Sequence, residues 1–588
     1  MRISLAGPSY TSRSVVAAAQ QTMNLYAEPV EAQNEPRLVL YGRPGLKLFK
    51  ALTGAAKIRG MWSGGGRLFV IHGGTLSELT EAAAQTDRSG TLASGSSWWP
   101  FPGEDWPTPD PAQIFSNGHQ LLIISGGLVY CDNGAGPQPA RFNLNGLVDT
   151  DGTTTVYWTS SGTTPETSDV FTPQMVGQTI RIGDDDYVVA SFVSSSAITV
   201  GTAVPVGSDQ AYTCPRAGDQ VTGVTGGFLD GYGLVSRPPT PAGSLFNLPA
   251  RRRTNRSGVA EDLGRQFNWS APYDFTLWDP LDFGVKEGNS DYLHSILCDH
   301  EELWLFGTET TEVWGNVGGD FTFARNPGAF IHEGTSAVYA PCSVGLSVCG
   351  LAGGANGETV AFQISGLQPK RISTHAQEQE WNATGFQVND ATSYGYSEGG
   401  HTFWVVNFWT AARSWVYDLT TQLWHERSFW DTSIDVFKRQ QAWFHAFLPE
   451  WGTNGKHIVG DPTTGKLYEM SSNYTDDDGA AILYRRAFPH LINEDNWAYI
   501  HRLEILAEMG ALTGGDTVPQ MVLDGSRDYG HTFINPRPVP MGSSGQYTRR
   551  AVWRRLGKAR DWVPRVTIEA KVKIALIDAY LEATQGFA

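Results

Sequence analysis

Glu302-Leu303-Trp304-Leu305-Phe306-Gly307, followed by Glu312-Val313-Trp314, reads as a strand, a tight turn and a second strand. Aromatic and apolar residues crowd a six-residue run, a polar break follows, and the alternation resumes. The same unit recurs on both sides. Gly66-Arg67-Leu68-Phe69-Val70-Ile71 runs into Gly73-Gly74, and Gly118 to Ile124 runs into Gly126-Gly127 and Leu128-Val129-Tyr130. Thr402-Phe403-Trp404-Val405-Val406 precedes Ser414-Trp415-Val416-Tyr417-Asp418, and Lys456-His457-Ile458-Val459-Gly460 precedes Lys466-Leu467-Tyr468. Gly227 to Val235 and Glu358 to Ile364 are weaker members. Anchored at positions 68, 121, 228, 303, 360, 403 and 458, the spacings are 53, 107, 75, 57, 43 and 55.

Repeats of about 40–50 residues with this grammar are those of propeller blades. Many short antiparallel sheets leave open edges unless they pack radially or close. The reading is therefore all-β: a β-propeller-like ring of six or seven blades over 51–475. Two or more β-sandwiches are the alternative, since periodicity alone does not separate these topologies. The 107-residue gap holds one blade plus an insertion at 146–214, rich in Thr, Ser and Val, which is read as a small β module. Residues 1–50 are read as an N-terminal arm and first strand. After the polar break Asp476-Asp477-Asp478-Gly479-Ala480, residues 476–588 are read as a C-terminal β domain. Alternation at Arg502 to Leu506, Met521 to Leu523 and Arg565 to Ile568 suits a β-sandwich. Short helices are expected only at Ser14 to Met23 and Ala575 to Ala583.

Composition agrees. The 588 residues include 66 Gly and 32 Pro, which favour turns over long helices. With 41% hydrophobic and 18% charged residues, the chain is neither disordered nor a coiled coil. Sixty acidic against 43 basic residues give a net charge of −17, the wrong sign for a protein that grips duplex DNA. The charge is uneven: residues 481–588 hold 14 Lys and Arg against 11 Asp and Glu, so the remainder carries −20. Cys131, Cys214, Cys298, Cys342 and Cys349 are odd in number and lack a CxxC, so neither a disulfide framework nor a zinc site is indicated. No apolar run is long enough to span a bilayer, and Met1 to Pro8 lack the apolar region of a secretory signal.

Few motifs carry chemistry. Ser526-Arg527-Asp528-Tyr529-Gly530-His531-Thr532-Phe533 fits the Asp-box, S-x-D-x-G-x-T-F, known from sialidase propellers. It is read as a structural turn made by Ser526, Asp528, Gly530, Thr532 and Phe533: Asp528 bonds turn amides, Gly530 takes positive φ, and Phe533 plugs the core. Asp279, Asp282 and Glu287 are the candidate glycosidase carboxylates, without a distinguishing pattern. His72, His119, His401, His425 and His531 show no ligand spacing, so no metal or other cofactor is expected. Gly183-Asp184-Asp185-Asp186-Tyr187 reads as a hairpin turn rather than a calcium loop. Trp404, Phe408, Trp409, Trp415, Tyr417, Trp424 and Trp430 suit blade cores or interfaces better than sugar stacking. The basic runs are Arg251-Arg252-Arg253 and the cluster Arg549, Arg550, Arg554, Arg555, Lys558 and Arg560. The second lies in the net-basic region and is the candidate contact with another copy or an acidic partner.

A family resemblance then emerges in order along the chain. Asn24-Leu25-Tyr26-Ala27-Glu28 and Leu40-Tyr41-Gly42-Arg43-Pro44-Gly45-Leu46 resemble the opening of the packaged-DNA stabilisation proteins, or tail hub (nozzle) proteins, of short-tailed bacteriophages. Arg59-Gly60-Met61, Ser116 to Leu121, Phe228-Leu229-Asp230-Gly231-Tyr232, the stretch at 302–314 and Arg371-Ile372-Ser373-Thr374 continue the likeness. So do Gly400 to Phe403, Trp415 to Asp418, Trp424 to Arg427, Gly545-Gln546-Tyr547 and Trp553 to Gly557. The insertion and Arg43, where Thr is frequent, depart from it. The resemblance implies a non-enzymatic virion protein of the tail, made in the host cytoplasm. It implies a homohexameric ring below the portal and head–tail adaptor, continuing the DNA channel and passing genomic DNA without sequence-specific binding. It also implies help in retaining packaged DNA, and a seat for tail fibres or spikes. A receptor-binding or glycan-hydrolysing propeller is the competing reading.

Overall fold

The computed structural model describes all residues except 31–36, 55, 95–109, 159–170, 238–262, 320–321, 354–356, 493–495, 512–517 and 587–588. Strands take 58% and helices 2% of the described residues, so the class is all-β. Among the described residues seven four-stranded arrays follow one another, the sixth and seventh joined to the sandwich in one larger sheet through Ala19–Met23, Ala480–Ala487 and Asp476–Asp477, and each of the seven sequence anchors lies in a different array. The first holds Ile58–Gly64, Arg67–His72, Thr75–Leu79 and Gln85–Asp87; the second Gln113–Ser116, Leu121–Ser125, Leu128–Asp132 and Gln138–Pro139. The third holds Gly226–Leu229, Tyr232–Ser236, Gln266–Ala271 and Asp274–Val285; the fourth Leu293–Asp299, Glu302–Gly307, Thr311–Asn316 and Phe323–Ile331. The fifth holds Cys342–Val344, Ser347–Gly353, Thr359–Ser365 and Gln368–Arg371; the sixth Thr392–Glu398, His401–Phe408, Arg413–Asp418 and Leu423–Glu426.

The seventh sheet is discontinuous in sequence. Phe444–Leu448, Lys456–Gly460 and Lys466–Ser471 take their fourth strand from Gly45–Ala51, antiparallel to Lys466–Ser471. A late strand therefore finds its hydrogen-bond partner four hundred residues upstream, instead of leaving an open edge. The hairpins are tight because their turns hold residues that tolerate positive φ. Gly126 and Gly127 sit at +58° and +76°, as a two-residue primed turn requires.

The chain divides into two compact units. In the unit formed by Phe69–Leu79 and Gln85–Thr335, successive sheets stack face to face. Leu122, Ile124 and Val129 of the second sheet pack with Val235, Phe275 and Trp278 of the third. Leu234, Phe267 and Trp269 of the third pack with Leu293, Leu303 and Leu305 of the fourth. Between the second and third sheets the chain makes a closed six-stranded barrel, in the order Leu144–Thr150, Thr155–Trp158, Ala197–Val200, Asp185–Ser194, Thr179–Ile182 and Gly207–Cys214. It has its own core around Val148, Met175, Ile180, Ile198 and Tyr212.

The other unit comprises Met1–Leu68, Thr80–Ala84 and Ser336–Ala588. Leu351 and Ala361 of the fifth sheet meet Trp404, Trp415 and Trp424 of the sixth. Tyr394, Phe403 and Val405 of the sixth meet Leu46, Val459 and Tyr468 of the seventh. A β-sandwich completes the unit. One sheet runs Leu25–Val30, Arg37–Gly42, Ala575–Gln585, Ala498–Ala507 and Ala551–Ala559, with Arg2–Ile3 on Ala575–Gln585. Its partner contains Ala480–Ala487, Asp561–Ala570, Gln520–Ser526 and Ile534–Pro540. Leu25, Leu40, Leu503, Trp553, Val566 and Ile568 are among the core residues.

Three expectations change. Residues 1–50 are not an arm preceding one strand; they supply sandwich strands as well as the seventh sheet's fourth strand. Ser14 to Met23 and Ala575 to Ala583 are not helical: they contribute Ala19–Met23 and Ala575–Gln585, both strands. Their alanines favour a helix locally, but each segment lies between strands with open hydrogen-bonding edges, and tertiary pairing overrides propensity. The α-helix in the described residues, α1 at His375–Trp381, went unforeseen although Thr374 and Gln377 spell a capping box.

Candidate functional site: the basic face of the C-terminal sandwich

Ala551–Ala559 is the strand that carries half of the basic cluster, Arg554, Arg555 and Lys558, with Arg549, Arg550 and Arg560 flanking it. Its burial alternates until Arg554 and Arg555, which are exposed in succession. A β-bulge is the cause. Ile500 faces Gly557 while Arg502 faces Arg554, so two residues, Arg555 and Leu556, oppose one. Arg555 adopts φ +57° to make the bulge. A glycine would do so without strain, so an arginine here holds a guanidinium outward at a conformational cost of about 1 kcal/mol.

The bulge carbonyls are held by two further arginines. Arg537 Nη1 donates to the carbonyls of Arg554 at 3.0 Å and Arg555 at 3.1 Å, and Arg527 donates to the carbonyl of Leu556. Trp553 Nε1 donates to the Arg537 carbonyl at 2.7 Å, fixing the edge strand that bears it. Arg550 Nη1 donates to Glu504 Oε1 at 2.6 Å; Arg502 takes the other oxygen of that carboxylate. Arg549 donates to Gln546 Oε1 at 3.3 Å. The Lys558 ammonium lies 4.5 Å and the Arg560 guanidinium 5.2 Å from the Trp497 ring centre. All six cluster residues are exposed, and Glu504 is the buried acid that pairs with one of them. The face is thus an organised patch of cations, several of them oriented by backbone carbonyls or aromatic rings.

The Asp-box turn lies on the same sandwich, between Gln520–Ser526 and Ile534–Pro540. Ser526 Oγ donates to Asp528 Oδ1 at 2.6 Å and accepts from the Gly530 amide at 2.7 Å. Thr532 donates its amide to Oδ1 at 2.9 Å and its hydroxyl to Oδ2 at 2.6 Å. Those bonds hold the Asp528 carboxyl well below the usual carboxylate range. Gly530 has φ +88°. Phe533 does not plug the core: it is half-buried beneath the Arg565 guanidinium, 3.9 Å from the ring centre. Arg565 is itself bidentate to Asp524, so the ring serves as a platform for a surface ion pair.

The candidate carboxylates separate. Asp279 and Asp282 share Asp274–Val285, and burial together with Asp279 pushes Asp282 up to about 6. Asp279 also accepts from the Leu281 amide at 2.8 Å. Glu287 is exposed beyond the strand and is no cause of the Asp282 shift. The histidines disperse. His72 Nε2 meets Ser77 Oγ at 2.7 Å, and His401 Nδ1 meets Asp418 Oδ2 at 2.8 Å. His425 is buried and pushed well down, whereas His119 and His531 are exposed in turns. Among the described residues no group of three or more His, Cys, Asp or Glu is placed to hold a metal. Of the aromatic set, Trp404, Phe408, Trp415, Tyr417 and Trp424 are core residues of the fifth and sixth sheets. Trp409 is half-buried under the Arg439 guanidinium, 3.7 Å away, and Trp430 packs edge-on to Phe437. Arg251, Arg252 and Arg253 lie outside the described residues.

Sequence reasoning missed a half-buried imidazole pair. His445 Nε2 lies 2.9 Å from His457 Nδ1 on adjacent strands of the seventh sheet. Burial pushes both pKa values down, His445 to about 3. His445 stands between Phe444 and Ala446, and that was the available signal. Also missed was the role of Arg43. It donates to Asn24 Oδ1, the Pro44 carbonyl and both oxygens of Asp477, all buried.

Family comparisons bear on this geometry. A family model described as the β-propeller of bacteriophage P22 Gp10 matches residues 255–475, and one described as its β-sandwich matches 484–584. Together they cover more than half of the chain, in the order of the sheets and the sandwich. The chain belongs to the Gp10 family. This Gp10 relative is accordingly an all-β phage tail hub protein with a propeller part and a C-terminal sandwich, and a structural component of the virion tail. The basic face and the Asp-box turn lie within the segment matching the Gp10 sandwich. No curated protein matches the chain. Among solved structures, the N-terminal domain of Nup159 is similar at 7% identity and a TM-score of 0.34, covering 77% of this chain and 98% of that one. YCF48 from Cyanidioschyzon merolae is similar at 9% identity and a TM-score of 0.25, covering 78% and 99%. Likeness at that level says nothing of function. No helix among the described residues is long and apolar enough to cross a membrane.

Proposed function

We propose that this chain is a non-catalytic subunit of a homohexameric ring on the virion axis, below the portal and its adaptor. The ring continues the DNA channel, helps retain the packaged genome, and seats fibres or spikes. The observation that carries the reading is membership of the P22 Gp10 family across both the propeller and the sandwich. Charge supports it. A basic sandwich face on a chain whose remainder carries −20 gives one copy a surface complementary to the acidic body of the next. Acidic walls facing the lumen would repel DNA phosphates and let the genome slide without sticking.

Cryo-electron microscopy of the intact particle, refined without imposed symmetry, tests the reading. A ring of this chain around the DNA axis is expected, and density confined to peripheral fibres would overturn it. The charge argument has its own test in solution. Reversing Arg549, Arg554, Lys558 and Arg560 to Glu is expected to abolish ring assembly in sedimentation while leaving a folded monomer. Assembly unchanged in that variant removes the basic face from the contact.

A further inference from the structure

The fifth sheet opens with a hairpin, Cys342–Val344 and Ser347–Gly353, joined by Gly345 and Leu346. The register pairs Val344 with Ser347, Ser343 with Val348, and Cys342 with Cys349. In a hairpin with a two-residue loop, facing pairs alternate between hydrogen-bonded and non-hydrogen-bonded. The outermost pair here is hydrogen-bonded, with Cα atoms about 5.5 Å apart. That separation falls inside the range a disulfide spans, roughly 4.4–6.8 Å. Directly opposed residues also send their Cβ atoms to one face of the sheet. Both sulfurs accordingly meet the same core: Cys349 is buried in the cluster between the fifth and sixth sheets, and Cys342 packs half-buried against it. Cys342 is among the groups that raise the Cys349 thiol, after burial, so each sulfur lies within the other's field.

The strand bearing Cys349 is pinned on its other side. Gln363 Nε2 donates to Ser347 Oγ at 3.0 Å, and Ser347 Oγ meets Ser365 Oγ at 2.9 Å. The loop is the exposed end, with Leu346 84% exposed. Of the two cysteines Cys342 is the less buried, so an oxidant reaches the pair through it, and Cys349 closes the bridge from within.

We propose that Cys342 and Cys349 are a modification site, forming a reversible cross-strand disulfide that staples the first hairpin of the fifth sheet. The oxidant is a small-molecule disulfide of the glutathione class. The Cys342 thiolate attacks one sulfur of glutathione disulfide, forming a mixed disulfide and releasing one glutathione. The Cys349 thiolate then attacks the Cys342 sulfur, the mixed bond breaks, and a second glutathione leaves. Each glutathione carries away one of the two thiol protons. Cys131, Cys214 and Cys298 have no cysteine opposite them in register and take no part.

The test uses the full chain, folded, incubated with glutathione disulfide and then alkylated in denaturant. The expected result is a mass lower by two hydrogens before alkylation, with alkylation then lost at 342 and 349 and retained at the other three. Chymotryptic cleavage after Leu346 should leave two peptides joined until a reductant is added. Five alkylated cysteines overturn the proposal, and so does glutathione resting on Cys342 in the unmutated chain. In Cys349→Ser the mixed disulfide on Cys342 is expected to persist. Should that core variant fail to fold, Cys342→Ser is expected to abolish the cross-link, and a cross-link surviving there refutes the assignment.

Discussion

At the residue scale, His445 and His457 make the seventh sheet sensitive to acid. Both imidazoles are neutral when folded, because burial disfavours the charged form. In the unfolded chain they titrate near 6.5. A depressed folded pKa contributes stability that is full above the unfolded value and is lost as pH falls towards the folded one. The loss therefore begins below about 6.5 and, for His445, continues towards about 3. Each such histidine costs about 1.4 kcal/mol per pH unit within its window. Urea midpoints measured from pH 7.5 to 4.5 should fall steadily, and less steeply in His445→Phe. A flat profile between pH 6.5 and 4.5 counts against depressed titration of this pair. His401 works in the opposite sense. Its bond to Asp418 raises its pKa, so its stabilisation is full below 6.5 and fades as pH rises through the folded value. The Arg43–Asp477 pair gives a second prediction. Arg43→Met leaves a buried carboxylate without its cation, and about 3–5 kcal/mol should be lost. The double variant Arg43→Met with Asp477→Leu should recover most of that, as chemical denaturation would record.

At the element scale, Thr374 and Gln377 cap α1 reciprocally: each side chain takes the other's backbone amide. Thr374→Ala should cost about 1 kcal/mol, read as a lowered urea midpoint with unchanged m-value. Trp424 is the centre of the fifth and sixth sheets' core. It touches Trp381, Trp404, Trp415 and Tyr417, and donates Nε1 to the Ile372 carbonyl at 2.8 Å. Trp424→Ala should cost about 3–5 kcal/mol. Elements of this kind were legible where the pattern is local. Leu303 to Phe306 and Phe403 to Val406 announce their strands because apolar runs end at turn residues. Strand pairing across long sequence distance was not legible. Nothing local in Gly45–Ala51 says that it completes a sheet begun at Phe444, and nothing in Ala575–Gln585 says that it is a central strand. The basic cluster was visible as composition, but the bulge at Arg555 that turns it outward depends on a register shift that only pairing reveals. Phe533 was misjudged for the same reason: its covering group, Arg565, comes from another strand.

At the scale of the whole molecule, the barrel at 144–214 is an insertion whose ends meet. Leu144 and Cys214 are register partners, so the chain leaves and re-enters at adjacent points. The stem beyond them is held independently. The Gly218 amide donates to the Phe142 carbonyl at 2.9 Å, the Phe142 amide to Asp219 at 3.0 Å, and the Asn143 amide to Trp278 at 2.7 Å. Among the described residues, thirteen buried residues inside the barrel and Ala217 of the stem form a core of its own, and closure removes any open edge that the rest of the fold would have to cover. Ala217 is the member of that core contributed by the stem, and it is small. Joining Asn143 to Pro215 through two glycines, in the manner of a two-residue hairpin, should therefore leave the seven sheets and the sandwich intact. The expected product is soluble, unfolds cooperatively, and keeps a melting temperature within a few degrees of the parent. Its m-value falls, because less surface is exposed on unfolding. An aggregated or molten product would mean that the sheets need the barrel to fold, and the barrel would then be part of the structural core rather than a module carried by it.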